Sequence, residues 1–141
     1  MIRPTVVKQD VAAEALEFIL QAADHPYADW HAENIDKALI IPFTSNEDLV
    51  GALWFYALEE DTTSLVMHAA IFDEYKGRFF TPKLVDHVSS VLWSLGFNSV
   101  VVEDDYVDLA LRMGAEQNPN GSAVFNLPHR WRKKWPSQQK K

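Results

Sequence analysis

The chain has no cysteine and no long apolar run. Without cysteine it has no disulfide, no zinc site built on thiolates and no cysteine nucleophile. A membrane-spanning helix needs about eighteen consecutive apolar residues, which this sequence does not contain. The first ten residues, MIRPTVVKQD, also lack the apolar region of a signal peptide. We therefore expect a cytoplasmic protein, and a length of 141 residues fits a single domain.

Positive charge is scarce over most of the chain. Residues 1–128 carry seven basic residues against twenty acidic ones, a net charge of −13, whereas residues 129–141 carry six basic residues and no acidic one. An acidic body repels phosphate over a Debye length of about 8–10 Å. We therefore expect a domain at 1–128 and a basic tail at 129–141, with nucleic acid able to contact only the tail.

The tail, HRWRKKWPSQQKK, interleaves two tryptophans with cations. Disordered tails are usually poor in aromatic residues. We therefore expect the tail to dock on a partner, whether an acidic protein, a membrane-like surface or nucleic acid, or back on the acidic body; a disordered solubilising end is the alternative. Arginine and aromatic residues dominate interface energetics. The predicted partner-binding residues of the tail are Arg130, Trp131, Arg132, Lys133, Lys134 and Trp135.

The apolar pattern predicts an α/β domain. A strand, a helix capped by Asp10 and an ambiguous segment at 27–36 come first, and three strands joined by short polar turns follow. Such turns favour antiparallel hairpins. The predicted strands are Ile2–Val7, Ala38–Phe43, Leu49–Leu58 and Leu65–Phe72, and the first helix ends near Asp24-His25-Pro26.

The clearest predicted helix follows these strands. Thr81 is its expected N-cap, Pro82 its first residue and Gly96 its C-terminal glycine. Because this helix joins two strands, we expect those strands to be parallel. Its apolar stripe consists of Leu84, Val85, Val88, Val91, Leu92 and Leu95, and a strand at Ser99–Glu103, a short helix at Tyr106–Met113 and a strand at Ser122–Leu127 follow.

This order of elements resembles the GNAT family of acyl-CoA-dependent N-acyltransferases over residues 2–127. Three local patterns carry the resemblance: Ile2-Arg3-Pro4 followed by Asp10, the segment Phe72–Arg78 that leads into the clearest helix, and Leu109–Ala115, which ends the short helix. The resemblance implies a mixed, mostly antiparallel sheet with one parallel pair around a central helix of the acyl-CoA-binding type, and helices on both faces.

The loop before the central helix departs from the family's pattern. In the family a loop of the form Arg/Gln-x-x-Gly-x-Gly/Ala wraps the pyrophosphate of coenzyme A with backbone N–H groups. Here Phe79 and Thr81 stand at the two small positions, and Pro82 has no N–H to donate. We therefore expect an eroded loop and no cofactor. Should acetyl-CoA bind, the resemblance implies contacts from Ile71, Phe72, Lys76, Gly77, Arg78 and Thr81.

The resemblance also indicates two candidate catalytic residues. His68 lies where the family often keeps a general base or a residue that holds its water; the alternative is a buried histidine bonded to a neighbour. The family's tyrosine, which protonates the departing thiolate, corresponds to Ala110, and Tyr106 is its possible substitute one turn earlier on the same helix face. Glu103 stands where the family usually has an asparagine.

Several other polar and aromatic residues have both a functional and an ordinary structural interpretation. The run Glu103-Asp104-Asp105 is either a cation or amine site or, more simply, a solvated loop that caps the next helix. We expect Trp54, Phe55 and Tyr56 to pack in the core, and one of Phe79 and Phe80 to be exposed; Phe79 is the predicted partner contact. Because His25, Asp29 and His31 match no standard metal spacing, we expect no metal site and solvated positions for all three.

Two functions follow from these features. The first is a non-catalytic binding or structural module, similar to small GNAT-like proteins of bacteriophage virions, which would place it in the host cytoplasm or the virion. The second is an active acetyltransferase that moves an acetyl group from acetyl-CoA to an amine by direct attack, with His68 or a water as base and Tyr106 as acid. The second function requires that the ring of Phe79 is turned away from the pyrophosphate.

Overall fold

One seven-stranded sheet organises the part of the chain that the computed structural model describes, residues 2–5 and 7–128. The strand order is β1-β2-β3-β4-β5-β7-β6. Neighbouring strands are antiparallel except β4 and β5, which are parallel. The strands are β1 Ile2–Pro4, β2 Leu39–Ser45, β3 Asp48–Ala57, β4 Ser64–Ile71, β5 Ser99–Val102, β6 Glu116–Gln117 and β7 Ala123–Asn126.

Helices cover both faces of this sheet, which confirms the predicted mixed α/β architecture. Helices α1 and α2 lie on one face, called the α1/α2 face, and helices α3 and α4 lie on the other, called the α3/α4 face. Among the described residues, none of the helices is long and apolar enough to cross a membrane. The helices are α1 Gln9–Ala22, α2 Ala28–Glu33, α3 Pro82–Ser94 and α4 Val107–Arg112, with short 3₁₀ turns at Ile35–Lys37, Asp73–Tyr75 and Asp104–Tyr106.

Alternation along the central strands sends neighbouring side chains to different faces. On β3, Leu53 and Phe55 join the apolar cluster under α3 and α4, whereas Ala52 and Trp54 join a second cluster under α1. Trp54 and Phe55 are 0% and 1% exposed, as expected of core residues. Gly51, on the same strand, is required by close packing, since a Cβ there would lie 2.7 Å from the carbonyl oxygen of Ala70.

The parallel pair separates soon after it forms. β4 and β5 are in register only from Ser64–Val66 against Ser99–Val101, and β4 then continues to Ile71 beside β3 alone. The sheet therefore splits between the second half of β4 and the end of β5. Both sequence-predicted catalytic candidates lie near this split: His68 is in the separated half of β4, and Tyr106 is in the turn that follows β5.

Helix α3 confirms most of its predicted features. The Thr81 hydroxyl accepts the N–H of Leu84 at 3.2 Å, and Pro82 is the first helical residue. Leu84, Val88 and Leu92 are buried on the apolar stripe. Leu95, which was expected to extend that stripe, is 56% exposed because the helix ends at Ser94.

The prediction for the start of α1 was wrong. Lys8 occupies the N-cap position, and Asp10 lies inside the first turn, where its Oδ1 accepts the N–H of Val11 at 2.9 Å. The ambiguous segment at 27–36 contains α2, and the first strand is shorter than predicted, ending at Pro4. The predicted tail at 129–141 lies outside the described residues.

Candidate functional site

The split in the sheet lies beside an apolar cavity between α3 and α4. This cavity has a volume of about 50 Å³. Met67 of β4, Leu84, Val85 and Ser89 of α3, and Ala110 of α4 belong to its wall. Since neighbouring β4 residues alternate between faces, Met67 is on the cavity side and His68 on the opposite side of the sheet. The candidate site therefore has two parts: the cavity on the α3/α4 face, and the side chains around His68 on the α1/α2 face.

Two aromatic rings meet on the wall of the cavity. Phe80, just before α3, and Tyr106, just before α4, have ring centroids 5.8 Å apart in an edge-to-face arrangement. Both rings line the cavity, as does Ala110, the position that corresponds to the family's tyrosine. Burial raises the pKa of Tyr106. The Tyr106 side chain therefore points into the same cavity and is protonated at neutral pH, as a proton donor must be.

The first turn of α3 offers few free backbone donors. Pro82 has no N–H, and the N–H of Leu84 already donates to the Thr81 side chain. The N–H of Thr81 donates to the carbonyl oxygen of Phe79 at 3.1 Å. Among described residues 81–84, the N–H of Lys83 is therefore the one that makes no hydrogen bond within the protein. The start of this helix is therefore a weaker anion-binding site than an uncapped helix N-terminus.

The prediction that Phe79 is an exposed partner contact was wrong. Phe79 is 1% exposed, and its ring packs at 4.9 Å from the ring of Phe43 in an edge-to-face arrangement. Its neighbour Phe80 is partly buried and lines the cavity, and the ring centroids of Phe79 and Phe80 are 5.0 Å apart. Removing an apolar ring from water lowers the free energy of the folded chain, so the loop folds with Phe79 in the core. The ring is consequently turned away from the loop surface.

The two basic side chains of the loop are held by local partners. The ammonium group of Lys76 lies 2.9 Å from the Asp73 carboxylate, and this contact raises the pKa of Lys76. The Arg78 guanidinium donates to the carbonyl oxygen of Glu74 at 2.7 Å and lies 5.3 Å above the centre of the Tyr75 ring. Gly77 has φ +85°, a left-handed conformation that suits glycine.

Arg78 and Thr81 line a groove that is separate from the cavity. This groove, of about 800 Å³, lies between β1 and α3. The cavity is lined instead by Phe80, Val85 and Tyr106. Two of the predicted cofactor contacts therefore belong to the surface on the other side of α3. The groove is lined by Ile2, Arg3, Pro4, Ser45, Tyr75, Arg78, Thr81, Lys83, Leu84 and His87.

The remaining predicted cofactor contacts are packing residues. Ile71 is 5% exposed and belongs to the core on the α3/α4 face. The Phe72 ring is partly buried and meets the ring of Phe18 in α1 at 6.3 Å. Neither residue is among those that line the cavity.

His68 lies in a cluster of rings on the α1/α2 face. Its imidazole stacks on the ring of Trp54 at 5.8 Å and meets the rings of His31 at 4.7 Å and Tyr56 at 5.4 Å. Burial lowers the pKa of His68, and the charge of His25 adds to this effect, whereas Asp104 opposes it. His68 is therefore neutral at pH 7, which a general base requires.

The prediction that His31 is solvated was wrong. Its side chain is 2% exposed because α2 places it against Trp54 and Tyr56 on β3. A signal was present in the sequence, since Trp54 and Tyr56 share one strand face and their polar atoms need hydrogen-bond partners when buried. Within the described residues, no group of three or more His, Cys, Asp or Glu side chains is placed to hold a metal ion. The predicted tail contacts lie outside the described residues.

Solved structures of known proteins share this arrangement of strands and helices. A GNAT family N-acetyltransferase from Escherichia coli, YhbS, solved in complex with CoA, aligns with a TM-score of 0.65 and 21% identity over 89% of this chain and 80% of its own. An aminoglycoside 6′-acetyltransferase type Ii aligns with a TM-score of 0.62 and 16% identity over 92% and 99% of the two chains.

A third structure has the same relationship to the chain. The ribosomal-protein-S18-alanine N-acetyltransferase from Escherichia coli aligns with a TM-score of 0.61 and 15% identity over 91% of this chain and 94% of its own. The chain has the GNAT fold. No protein-family model matches the sequence, and no curated protein matches it either. The predicted GNAT-type sheet with its parallel pair is thus confirmed, at the level of fold.

Proposed function

We propose that this GNAT-fold chain is a binding or structural module and does not transfer acetyl groups. The observation that carries the proposal is the first turn of α3. In the family that the sequence resembles, backbone N–H groups at this turn hold the pyrophosphate of coenzyme A. Here Pro82 supplies no N–H, and the N–H groups of Thr81 and Leu84 are already bonded within the protein.

The small size of the cavity supports the same proposal. The rings of Phe80 and Tyr106 are in contact along its wall. The cavity holds about 50 Å³, far below the 300–1,000 Å³ of typical small-molecule sites. Arg78 and Thr81 line the groove on the other side of α3, and neither residue lines the cavity.

A calorimetric titration of the full chain with CoA and acetyl-CoA tests this proposal. We expect no binding tighter than millimolar, which corresponds to about −4 kcal/mol. Micromolar affinity would contradict it. The double variant Thr81→Gly, Pro82→Ser frees one N–H and adds another, so it should gain measurable affinity for CoA. Thr62→Gly, in the exposed turn between β3 and β4, is the matched control and should gain none.

The partner of such a module would be contacted through the basic tail. The tail combines six positive charges with Trp131 and Trp135, residue types that dominate interface energetics. If the chain functions like the virion proteins that its sequence resembles, this partner is a component of a bacteriophage particle. The double variant Trp131→Ala, Trp135→Ala should abolish co-purification with that assembly. Undiminished association would exclude the tail as the anchor.

The second candidate function is acetyl transfer to an amine, which two observations favour. Phe79 is turned into the core, so its ring does not obstruct the loop surface. His68, whose pKa is lowered by burial, is a neutral imidazole beside the split between β4 and β5. In this mechanism His68, directly or through water, accepts a proton from the attacking amine, and Tyr106 protonates the departing thiolate.

Release of free CoA thiol from acetyl-CoA, measured with a panel of primary amines, tests this candidate. If the chain is an enzyme, His68→Asn should lower the rate by about 100-fold or more, the usual contribution of a general base. The control variant Thr62→Gly changes an exposed turn residue that lines neither the cavity nor the groove and should leave the rate unchanged. No thiol release above the uncatalysed rate with any amine would support the non-catalytic module.

A further inference from the structure

His31 is the most deeply buried contact between helix α2 and the sheet. Of the six residues of α2, only His31 is buried. The Nδ1 atom of His31 lies 3.1 Å from Nε1 of Trp54 and 2.9 Å from the hydroxyl of Tyr56. Two more exposed contacts flank it: the ring of Trp30, which is 52% exposed, lies 5.4 Å from the ring of Tyr56, and Ala28 packs on the apolar cluster. The buried part of the attachment therefore centres on one imidazole and two polar groups of β3.

The chemistry of these partners fixes the protonation state that the contact requires. An indole nitrogen only donates, so Nδ1 of His31 must accept the Trp54 N–H. With Nδ1 unprotonated, the hydroxyl of Tyr56 must donate as well, and the ring proton resides on Nε2. A proton added to Nδ1 would remove the acceptor of the Trp54 N–H and leave two N–H donors facing each other, whereas the Tyr56 hydroxyl can turn and accept the new proton. The contact with Trp54 is thus compatible with the neutral imidazole alone.

The surroundings of His31 also oppose a positive charge. The rings of His25, from the segment between α1 and α2, and of His68, from β4, lie 5.2 Å and 4.7 Å from it. Burial and the charges of these two histidines lower the pKa of His31 to about 4. The remaining titratable groups of the neighbourhood are Tyr56 on β3, Asp104, which acts on His68 from the turn after β5, and Asp29 and Glu33 on α2 itself.

We propose that His31 is an acid-sensitive latch: the neutral ring holds α2 on the sheet, and protonation at Nδ1 releases α2 and uncovers Trp54 and His68. The released ring is solvated and pairs with water, so the added charge no longer faces two histidines and the N–H of Trp54. Because His68 lies beside the split in the sheet, release of α2 opens the α1/α2 side of the candidate site. The latch does not depend on whether the chain transfers acetyl groups.

Linkage gives the size of the expected effect. An imidazole that titrates near 6.5 when released and near 4 when held shifts the opening equilibrium by up to about tenfold per pH unit between those values. Above pH 6.5 the opening equilibrium is independent of this proton. Helix α3 carries none of the rings around His31, so its backbone hydrogen bonds should stay intact over the same pH range.

Hydrogen exchange on the full chain from pH 8 to pH 4, corrected for the intrinsic pH dependence of exchange, tests the latch. The amides of His31 and Asn34, which bond within and just after α2, should lose protection by up to about tenfold per unit below pH 6.5. The amides of α3 should not. A nuclear magnetic resonance titration of the His31 ring on the same sample should show the populated ring still neutral while α2 protection is already falling below pH 6.5, with its own protonation displaced toward pH 4.

Two variants separate the latch from general acid sensitivity. His31→Gln keeps a hydrogen-bond acceptor that does not protonate, so the pH dependence of exchange in α2 should disappear. His87→Gln removes an exposed histidine outside the cluster and should leave the pH dependence unchanged. The latch is excluded by unchanged α2 protection in the wild-type chain down to pH 4, by loss of α3 protection together with α2, or by a pH dependence that survives in His31→Gln. If that variant does not fold, a His31 ring that titrates at 6.5 in the folded chain excludes the latch instead, because a ring held neutral must titrate below that value.

Discussion

The two faces of the sheet are built from different chemistry. The α3/α4 face is covered by a cluster of apolar side chains that extends from Phe43 to Phe125. The α1/α2 face combines an apolar cluster around Leu16 and Ile19 with polar rings, in which Trp54 and Tyr56 bond to His31. The first face is stabilised by area removed from water, which pH does not change. The second face is stabilised partly by contacts that require neutral imidazoles.

The largest single effect is expected on the apolar face. Leu92 of α3 is 1% exposed within the cluster. The substitution Leu92→Ala removes buried methyl groups and leaves a cavity, so the free energy of unfolding should fall by about 2–5 kcal/mol. Denaturant titrations at pH 7.5 and pH 5.5 should give the same difference between variant and wild type. A difference that changed with pH would show that the two faces are not independent.

The second largest effect is expected from acid on the α1/α2 face. The pKa of His31 is lowered from 6.5 to about 4 in the folded chain, and burial lowers the pKa of His25 and His68 as well. Because the folded state favours the neutral rings, their stabilising contribution is complete above pH 6.5 and is lost as the pH falls toward 4. For His31 this loss is at most about 3 kcal/mol, and it stops growing once α2 is released.

Thermal or denaturant unfolding at half-unit steps of pH measures this loss. The wild-type chain and Leu92→Ala should lose stability in parallel, since the apolar face does not titrate. His31→Gln should show a shallower slope between pH 6.5 and 4 than either. A wild-type stability that rose as the pH fell through this range would contradict the lowered pKa values.

The difference between the faces explains which elements the sequence predicted well. Helix α3 packs an apolar stripe on an apolar cluster, so spacing alone placed Leu84, Val88 and Leu92 in the core. Thr81 and Pro82 marked its start because capping is local chemistry. The parallel pairing of β4 and β5 followed from the helix that joins them.

The candidate site was harder to predict because its partners are distant in sequence. His31 and Trp54 are 23 residues apart, and they meet because helix α2 packs on strand β3. Phe79 was expected on the surface because two adjacent aromatic rings were not expected to enter the same core, whereas in the structure its ring packs on the ring of Phe43. Periodicity does not reveal such contacts in a short helix or a loop, since neither has a repeated apolar face.

A smaller effect is expected from one hydroxyl group on the α1/α2 face. Tyr56→Phe keeps the ring and removes the oxygen that lies 2.9 Å from Nδ1 of His31. The net loss of one hydrogen bond is about 0.5–1.5 kcal/mol. Equilibrium unfolding at pH 7.5 should show this decrease, and the same measurement at pH 4.5 should show a smaller one, because protonation of His31 releases α2 and separates Nδ1 from the hydroxyl. Equal decreases at both pH values would mean that the hydroxyl stabilises the fold through another contact.

The smallest effect is expected at the exposed end of α3. Leu95 follows the helix and is 56% exposed, three residues beyond Leu92. Leu95→Ala removes the same atoms as Leu92→Ala but from a surface position, so the free energy of unfolding should change by no more than about 0.5 kcal/mol. Parallel denaturant titrations of the two variants compare identical chemistry in the two environments. A loss at Leu95 that approached the loss at Leu92 would mean that something covers this end of α3 in solution, and the neighbouring Trp93, which is 48% exposed, would then belong to that covered surface. In that case the apolar face would extend beyond the α3/α4 core, and dilution of the protein should restore the small effect if the cover is a second copy of the chain.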